Sequence, residues 1–278
     1  MSLVFTTTSC DMDLTPDSAV PEHEALRTID DCDAWVVGIY SAFKNSALYS
    51  GYMTLLPDIQ ADMAYAALNT NNGFYTNIYQ WDIKSTTDEI IAVYNGLYTI
   101  VARCNFFLDY KDQVEVNLKT TADKDNFKKR LGEVYFARAM AYAELIRLFC
   151  EPMTSVNADT ENMGICLPTT YRDDVPKVKR STLRESYNQI ISDLKSAEDN
   201  LPDSRTVADS HYFSKGAVYA LRARIYMYMG MGDLKRDRNN EYLKKSVEAA
   251  TKVIKLGVYE LSDAINNAFV IDSKYYTD

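Results

Sequence analysis

The chain carries apolar residues at three- and four-residue spacing along most of its length, and this feature most restricts its fold. The pattern is clearest between about residue 125 and residue 149, where large apolar side chains alternate with Ala137, Ala141 and Ala143. Apolar residues at this spacing line one face of a helix, and small residues let a neighbouring helix approach closely. Because strand-type alternation is almost absent, the sequence predicts an all-α fold.

Capping signals locate several helix ends. Thr86–Glu89 and Thr182–Glu185 have capping-box spacing, in which the hydroxyl and the carboxylate each accept a hydrogen bond from a backbone N–H. Gly257 predicts the end of a last helix that begins near Asn240. Helix starts near Ser181 and Ser214 lie 33 residues apart, close to the tetratricopeptide period. We therefore predict tetratricopeptide-like helical hairpins with long connecting loops.

Composition and motifs exclude several functions. With 30 basic and 39 acidic residues the formal net charge is −9, which argues against nucleic-acid binding. The chain contains no uninterrupted run of 18 apolar residues, which is about the length needed to cross a bilayer. The chain contains no HExxH, GxSxG or phosphate-loop motif. Its five Cys form no CxxC pair, and it has only two His. We predict no catalytic residue, no cofactor and no metal site.

The amino terminus resembles the end of a bacterial lipoprotein signal. Cys10 follows Thr7, Thr8 and Ser9 and precedes an acidic, Pro-containing stretch. A complete signal peptide would carry a cation and a long apolar segment before this Cys, and residues 1–9 have neither, so we expect the sequence to start partway through the signal. We interpret residues 1–28 as a leader with a lipidation Cys and an extended tether.

Tyrosine is unusually frequent, with 21 Tyr against 10 Phe and 2 Trp. A tyrosine ring has an apolar face and a hydrogen-bonding tip, which suits polar interfaces. One group falls at helical spacing and is predicted to pack between helices: Tyr94, Tyr98, Tyr135, Tyr142 and Tyr226. A second set of aromatic residues surrounds the turn signal at 69–73: Tyr65, Phe74, Tyr75, Tyr79 and Trp81.

One segment carries a specific motif. Residues 132–152 read GEVYFARAMAYAELIRLFCEP and strongly resemble the hallmark helix of the SusD/RagB family, with Cys150 in place of the usual Gly. Residues 97–105, 214–226 and 249–261 are similar to three further segments of that family and follow in its order, although Tyr94 stands where a Trp is frequent. The motif residues are Gly132, Glu133, Phe136, Arg138, Ala139, Tyr142, Leu145, Arg147, Phe149 and Pro152.

The resemblance implies an outer-membrane nutrient-binding lipoprotein, displayed on the cell surface of a Bacteroidota-type bacterium and attached to the membrane by its lipid alone. Such proteins bind oligosaccharides and work with a SusC-like TonB-dependent transporter, which does the import. Family members usually continue well beyond the point where this chain stops. We therefore interpret residues 29–278 as a SusD-like helical domain that lacks the second half of the family.

The loop after Asp58 occupies the place where starch-binding members of the family carry ligand residues. Aromatic faces and amide groups are what a sugar requires, so we select as glycan-binding candidates Tyr65, Asn69, Asn71, Asn72, Phe74, Tyr75 and Trp81. The alternative is that Tyr65, Tyr79 and Trp81 only pack this loop against the helices, and for Trp81 we favour that interpretation.

A second hypothesis for the whole chain is a tetratricopeptide-type module that docks to the transporter and has no glycan specificity of its own.

Overall fold

A computed structural model describes residues 21–65, 74–171, 179–206, 208–232 and 238–260. Their regular secondary structure is helical, joined by turns and irregular connections, with one isolated antiparallel bridge between Cys166 and Arg180. This confirms the all-α prediction. A 3-10 turn at Glu22–Glu24 precedes eight helices: α1 Ile29–Phe43, α2 Tyr52–Gln60, α3 Thr76–Tyr79, α4 Asp88–Glu115, α5 Thr121–Phe149, α6 Leu183–Asn200, α7 Lys215–Met231 and α8 Asn240–Lys255.

The helix starts confirm one predicted capping box and correct the other. Thr182 and Glu185 form the box at the start of α6 as predicted. The box predicted at Thr86 and Glu89 is wrong, because the N-cap of α4 is Thr87 and its side chain caps no helical N–H. The Thr87 Oγ1 instead accepts a hydrogen bond from the Lys84 backbone N–H at 3.0 Å, so it closes the preceding turn.

Helix lengths differ from the sequence prediction where polar residues continue a helix. Helix α5 begins at Thr121, earlier than the apolar pattern that starts at about residue 125, and α4 extends to Glu115. A capping box of Thr120 and Asp123 starts α5. Helix α2 ends at Gln60, just before Asp62 takes a positive φ of 58°. Gly257, at φ 65°, follows α8 as predicted.

The long helices pair antiparallel, in the manner of helical hairpins. A Cβ on Gly132, early in α5, would meet Leu201 at the end of α6, and a Cβ on Gly230, late in α7, would meet Leu243 early in α8. The long helix α4 packs against α5, and α1 packs against both. One core runs through these helices, with Tyr142, Phe107, Ile39, Leu97 and Leu194 among its fully buried side chains. The predicted hairpin architecture is confirmed.

The helix α4 illustrates how this core absorbs apolar residues. By length and composition it would pass as a membrane-spanning helix, although it contains no uninterrupted run of 18 apolar residues. Its side chains Leu97, Ile100 and Phe107 are fully buried in the protein core. A core helix of a soluble protein passes the same test, so this helix alone is weak evidence for a membrane span.

The core also contains cysteine and tyrosine side chains, and Tyr142 packs there as predicted. Burial raises the pKa of the Cys32 thiol to about 12, so this side chain behaves as a small neutral apolar group. Cys150, which stands in place of the usual Gly of the motif, is the C-cap of α5. Among the tyrosines, Tyr142 is fully buried, whereas Tyr94 remains 37% exposed.

Candidate functional site

A groove lies where the end of α5 meets α2, the turn after α3 and the start of α4. Its volume is about 330 Å³. Apolar side chains form most of its wall, and Gln60, Lys84 and Ser85 are the polar side chains that line it among the described residues. The wall residues include Tyr52, Met53, Leu56, Pro57, Ile83, Ile90, Val93, Leu148 and Phe149. An apolar groove with a few polar groups is the usual form of a small-ligand site.

Large aromatic side chains are exposed between the end of α2 and the turn after α3, close to the groove in the chain, although none of the predicted glycan-binding residues that the structure describes is among its lining residues. Tyr65 is 79% exposed, Phe74 is 63% exposed and Trp81 is 64% exposed. Tyr75 is half-buried, and its ring packs edge-to-face against Tyr52, with centroids 6.2 Å apart. Tyr52 therefore connects the groove wall to this aromatic set.

The structure corrects the interpretation of Trp81. We favoured a buried ring that packs the loop against the helices, but most of its surface faces solvent. The reason is local, because Trp81 follows the single turn of α3 at φ 59°, and its backbone N–H bonds to the Ile78 carbonyl at 3.1 Å. This left-handed residue closes the turn, while Ile78 fills the small core beneath. Tyr65 is also exposed, whereas Tyr79 packs against that core as the alternative predicted.

Unusual backbone conformations concentrate in this region. Among the described residues four non-glycine positions have positive φ, and three of them are Asp62, Tyr75 and Trp81. Such conformations cost of order 1–3 kcal/mol each and cluster at sites where they serve function. Two of the three bear aromatic side chains, for which this conformation is rare. The strain therefore coincides with the aromatic set.

Three of the predicted residues cannot be placed. Asn69, Asn71 and Asn72 lie outside the described residues, as does the predicted lipidation residue Cys10. Their predicted roles stay predictions.

Among the described residues that line the groove, Lys84 is the one with a charged side chain. Burial raises the pKa of Tyr52, and Tyr75, Glu89 and Asp88 add to that rise. Lys84 is paired with Asp82 at 3.1 Å in an exposed ion pair. Within the described part of the chain, no group of three or more His, Cys, Asp or Glu side chains is arranged to hold a metal ion.

The motif helix α5 supplies one end of the groove and is itself held by buried charges. Arg138 donates two hydrogen bonds to Asp193 on α6, at 2.8 and 2.6 Å, and one to Asn105 on α4 at 2.8 Å. Asn105 and Tyr142 both donate to the Pro168 carbonyl, at 2.6 and 2.5 Å. Arg138 thus fastens three helices and, through Asn105, the connection between α5 and α6.

A second buried cluster fixes the first half of α5. Glu133 is 1% exposed and forms ion pairs with Arg130 and Arg205, while Arg130 also pairs with Asp33 on α1. Both arginines lie over the ring of Tyr212. These contacts give Glu133 and Arg138 of the motif a role in packing, at a distance from the groove.

Several groove residues were missed at the sequence level. Gln60, Lys84 and Phe149 come from three elements that are far apart in the chain. Phe149 is part of the motif, and its ring packs edge-to-face with Tyr94, with centroids 5.1 Å apart. The motif could have pointed to Phe149, whereas no sequence signal marks Gln60 or Lys84.

A family model described as starch-binding and associating with the outer membrane, of the SusD-like type, matches residues 12–227. SusD-like protein P2 from Formosa agariphila is 22% identical over 230 residues, which are 82% of this chain and 42% of the relative.

Solved structures have the same fold. A SusD homologue from Bacteroides thetaiotaomicron is 21% identical and superposes with a TM-score of 0.70 over 87% of this chain and 43% of its own. A structure titled laminarin-binding SusD-like protein is 18% identical and gives a TM-score of 0.65 over 90% of this chain and 50% of its own. The chain thus spans about half the length of these relatives, and identities this low show the fold alone.

Proposed function

The chain belongs to the SusD-like family of starch-binding, outer-membrane-associated proteins, and on this premise we propose that it is a cell-surface glycan-binding protein that takes part in oligosaccharide uptake. It binds its ligand without chemical change and needs no cofactor. A SusC-like TonB-dependent transporter is the proposed partner, and a lipid on Cys10 is the proposed anchor.

The observation that carries this proposal is the exposure of Trp81 and Phe74, together with an apolar groove whose wall includes Ile83, two residues after Trp81. A sugar ring presents C–H groups on one face, and an exposed aromatic ring offers the matching apolar surface. Gln60, Ser85 and Lys84 line the groove and can bond to sugar hydroxyls. The ring of Tyr75 packs edge-to-face against Tyr52, which lines the groove.

Titration calorimetry against laminarin, maltooligosaccharides and agarose oligosaccharides tests the proposal. We expect Trp81→Ala and Phe74→Ala each to weaken binding at least about tenfold, which corresponds to about 1.4 kcal/mol. Ile254→Ala is the control, because Ile254 is 78% exposed on α8, which lies outside the groove. The glycan proposal fails if the protein in its full natural length binds none of a broad glycan panel.

A second candidate is a protein-docking module, and the outer side of α8 favours it. Val247 is 65% exposed and Ile254 is 78% exposed there, and exposed apolar side chains on one helix face are typical of a protein-interaction surface. Co-purification with the SusC-like transporter that is lost in Val247→Asp/Ile254→Asp, together with no response to any glycan, would support docking as the main task.

A further inference from the structure

A second cleft lies between α1 and α4, and its volume is about 440 Å³. On α4, Arg103 of this cleft comes ten residues after Val93 of the groove wall, which is about 15 Å along the helix at 1.5 Å per residue. The cleft is therefore separate from the groove. The described residues that line it are Ala25, Asp31, Ala34, Trp35, Gly38 and Arg103.

The cleft has an aromatic wall that is held in place from behind. Trp35 stacks on Phe106 of α4, with ring centroids 4.3 Å apart and an angle of 16° between the planes. Its Nε1–H donates a hydrogen bond to the Arg103 carbonyl at 2.9 Å. These contacts fix the indole, although Trp35 is only half-buried. The part of the ring that Phe106 leaves uncovered can contact the apolar face of a sugar without first being ordered.

Polar groups with spare hydrogen-bonding capacity lie at both ends of the cleft. The Arg103 Nη1 donates to the Gly38 carbonyl at 2.6 Å, and no described carboxylate pairs with this guanidinium, so most of its five N–H donors are available. Asp31 accepts the capping bonds of α1 through Oδ2, and no described residue donates to its Oδ1. Asp31 and Gly38 are separated by about 10 Å along α1, which is longer than one pyranose ring and suits a run of linked sugars.

Gly38 keeps the middle of the cleft open. It lies inside α1, where glycine destabilises a helix relative to alanine. Packing does not require it, because a Cβ at Gly38 would meet no atom within 4 Å, whereas a Cβ at Gly96 on α4 would press against Leu48 at 3.1 Å. A side chain at position 38 would project into the space that Gly38 lines. Room for a ligand beside the helix backbone accounts for this glycine.

We propose that this cleft is a second oligosaccharide site, distinct from the groove. The inference takes its ligand class from the proposed function and adds a place that the proposed function does not include. Trp35 contacts the C–H face of a sugar ring, Arg103 donates to hydroxyl oxygens, and Asp31 accepts from hydroxyl groups. An aromatic wall with a few fixed polar groups is the usual form of such a site.

The two tryptophans of the chain give a separate reporter for each site. Trp35 lines the cleft, and Trp81 belongs to the exposed aromatic set. Heteronuclear NMR of the chain should show two indole N–H signals, which the variants Trp35→Phe and Trp81→Phe assign. Titration with short laminarin oligosaccharides and with maltooligosaccharides should shift both signals, and each signal should follow its own dissociation constant.

Gly38→Leu tests the cleft by filling it. We expect the dissociation constant that the Trp35 signal reports to rise at least about tenfold, while the response of Trp81 is unchanged. The melting temperature should rise by about 2 °C, because leucine favours a helix more than glycine does. Val37→Leu is the control, since Val37 is exposed on the same helix and does not line the cleft, and it should keep both responses.

Arg103→Met is a second variant, which removes the hydrogen-bond donors and leaves the cleft open. It should weaken the Trp35 response by about tenfold. Lys44→Met is its control, because Lys44 is an exposed cation at the end of α1 that does not line the cleft.

The two reporters separate the possible outcomes. A Trp35 signal that stays still while Trp81 responds would overturn the inference and leave the proposed function standing. A Trp35 response that survives both Gly38→Leu and Arg103→Met would also overturn it, since the sugar would then lie outside the cleft. A response of Trp35 alone would support the inference and count against the groove. If neither signal responds to any glycan, the proposed function and this inference fail together.

Discussion

Two regions of the molecule differ in what their side chains face. Around Arg138 the motif side chains are buried and their polar atoms bond to side chains of neighbouring helices, as in the Arg138–Asp193 pair. Around Trp81 the aromatic side chains face solvent, and the backbone adopts left-handed conformations. The residues of the motif thus hold the helices together. The residues that are able to contact a ligand lie in a segment that has no such motif.

The largest effect should come from breaking the buried ion pair. Arg138→Met leaves the carboxylate of Asp193 buried without its partner, and removing one partner of a buried pair costs about 3–5 kcal/mol. We expect a loss of that size in the free energy of unfolding, measured by urea denaturation.

The double variant Arg138→Met/Asp193→Leu is the control for this prediction, because it removes the charge as well as its partner. It should recover most of the lost stability, since apolar replacement of a buried pair is often neutral. A double variant as unstable as the single one would show that the cost comes from packing of the Arg138 side chain.

The hydroxyl of Tyr142 should matter less. Tyr142→Phe removes its hydrogen bond to the Pro168 carbonyl, but Asn105 still donates to that oxygen. We expect a loss of about 0.5–1.5 kcal/mol in the free energy of unfolding, the usual contribution of one hydrogen bond. Tyr135→Phe is a comparison, because Tyr135 is half-buried on the same helix, and it should leave the stability within about 0.5 kcal/mol.

This contrast also shows what the sequence could predict. Helix periodicity and caps gave α6 and α8 within a residue or two, because both signals are local. Asp193 could not be recognised as the partner of Arg138, since 55 residues separate them and helix pairing must be known first. The groove could not be predicted for the same reason, because it is formed by α2, the turn at 83–85 and Phe149, which are far apart in the sequence. The prediction of a packed Trp81 is wrong because Trp81 itself takes a left-handed conformation that closes a turn. Nothing in the sequence around Trp81 signals that conformation.

In the aromatic region, two substitutions of Trp81 should differ in stability but have the same effect on glycan binding. Trp81→Gly places at φ 59° the residue that adopts this conformation without steric cost. We expect it to raise the free energy of unfolding by about 0.5–1 kcal/mol relative to Trp81→Ala, while both variants lose glycan binding equally. If Trp81→Gly is the less stable of the two, the Trp81 backbone is not strained.

The smallest effect concerns the cap that starts α5. Hydrogen bonds from the Thr120 hydroxyl and backbone lower the pKa of Asp123 below its ordinary value of 3.8. A carboxylate with a lowered folded-state pKa adds stability above its unfolded pKa and loses that contribution as the pH falls through its folded pKa. Asp123→Ala should therefore lower the melting temperature slightly at pH 6, and the difference should vanish well below pH 3.8. Because this helix carries both the buried pair and Phe149, an equal difference at all pH values would mean that Asp123 acts through helix propensity and that its charge contributes nothing to the cap.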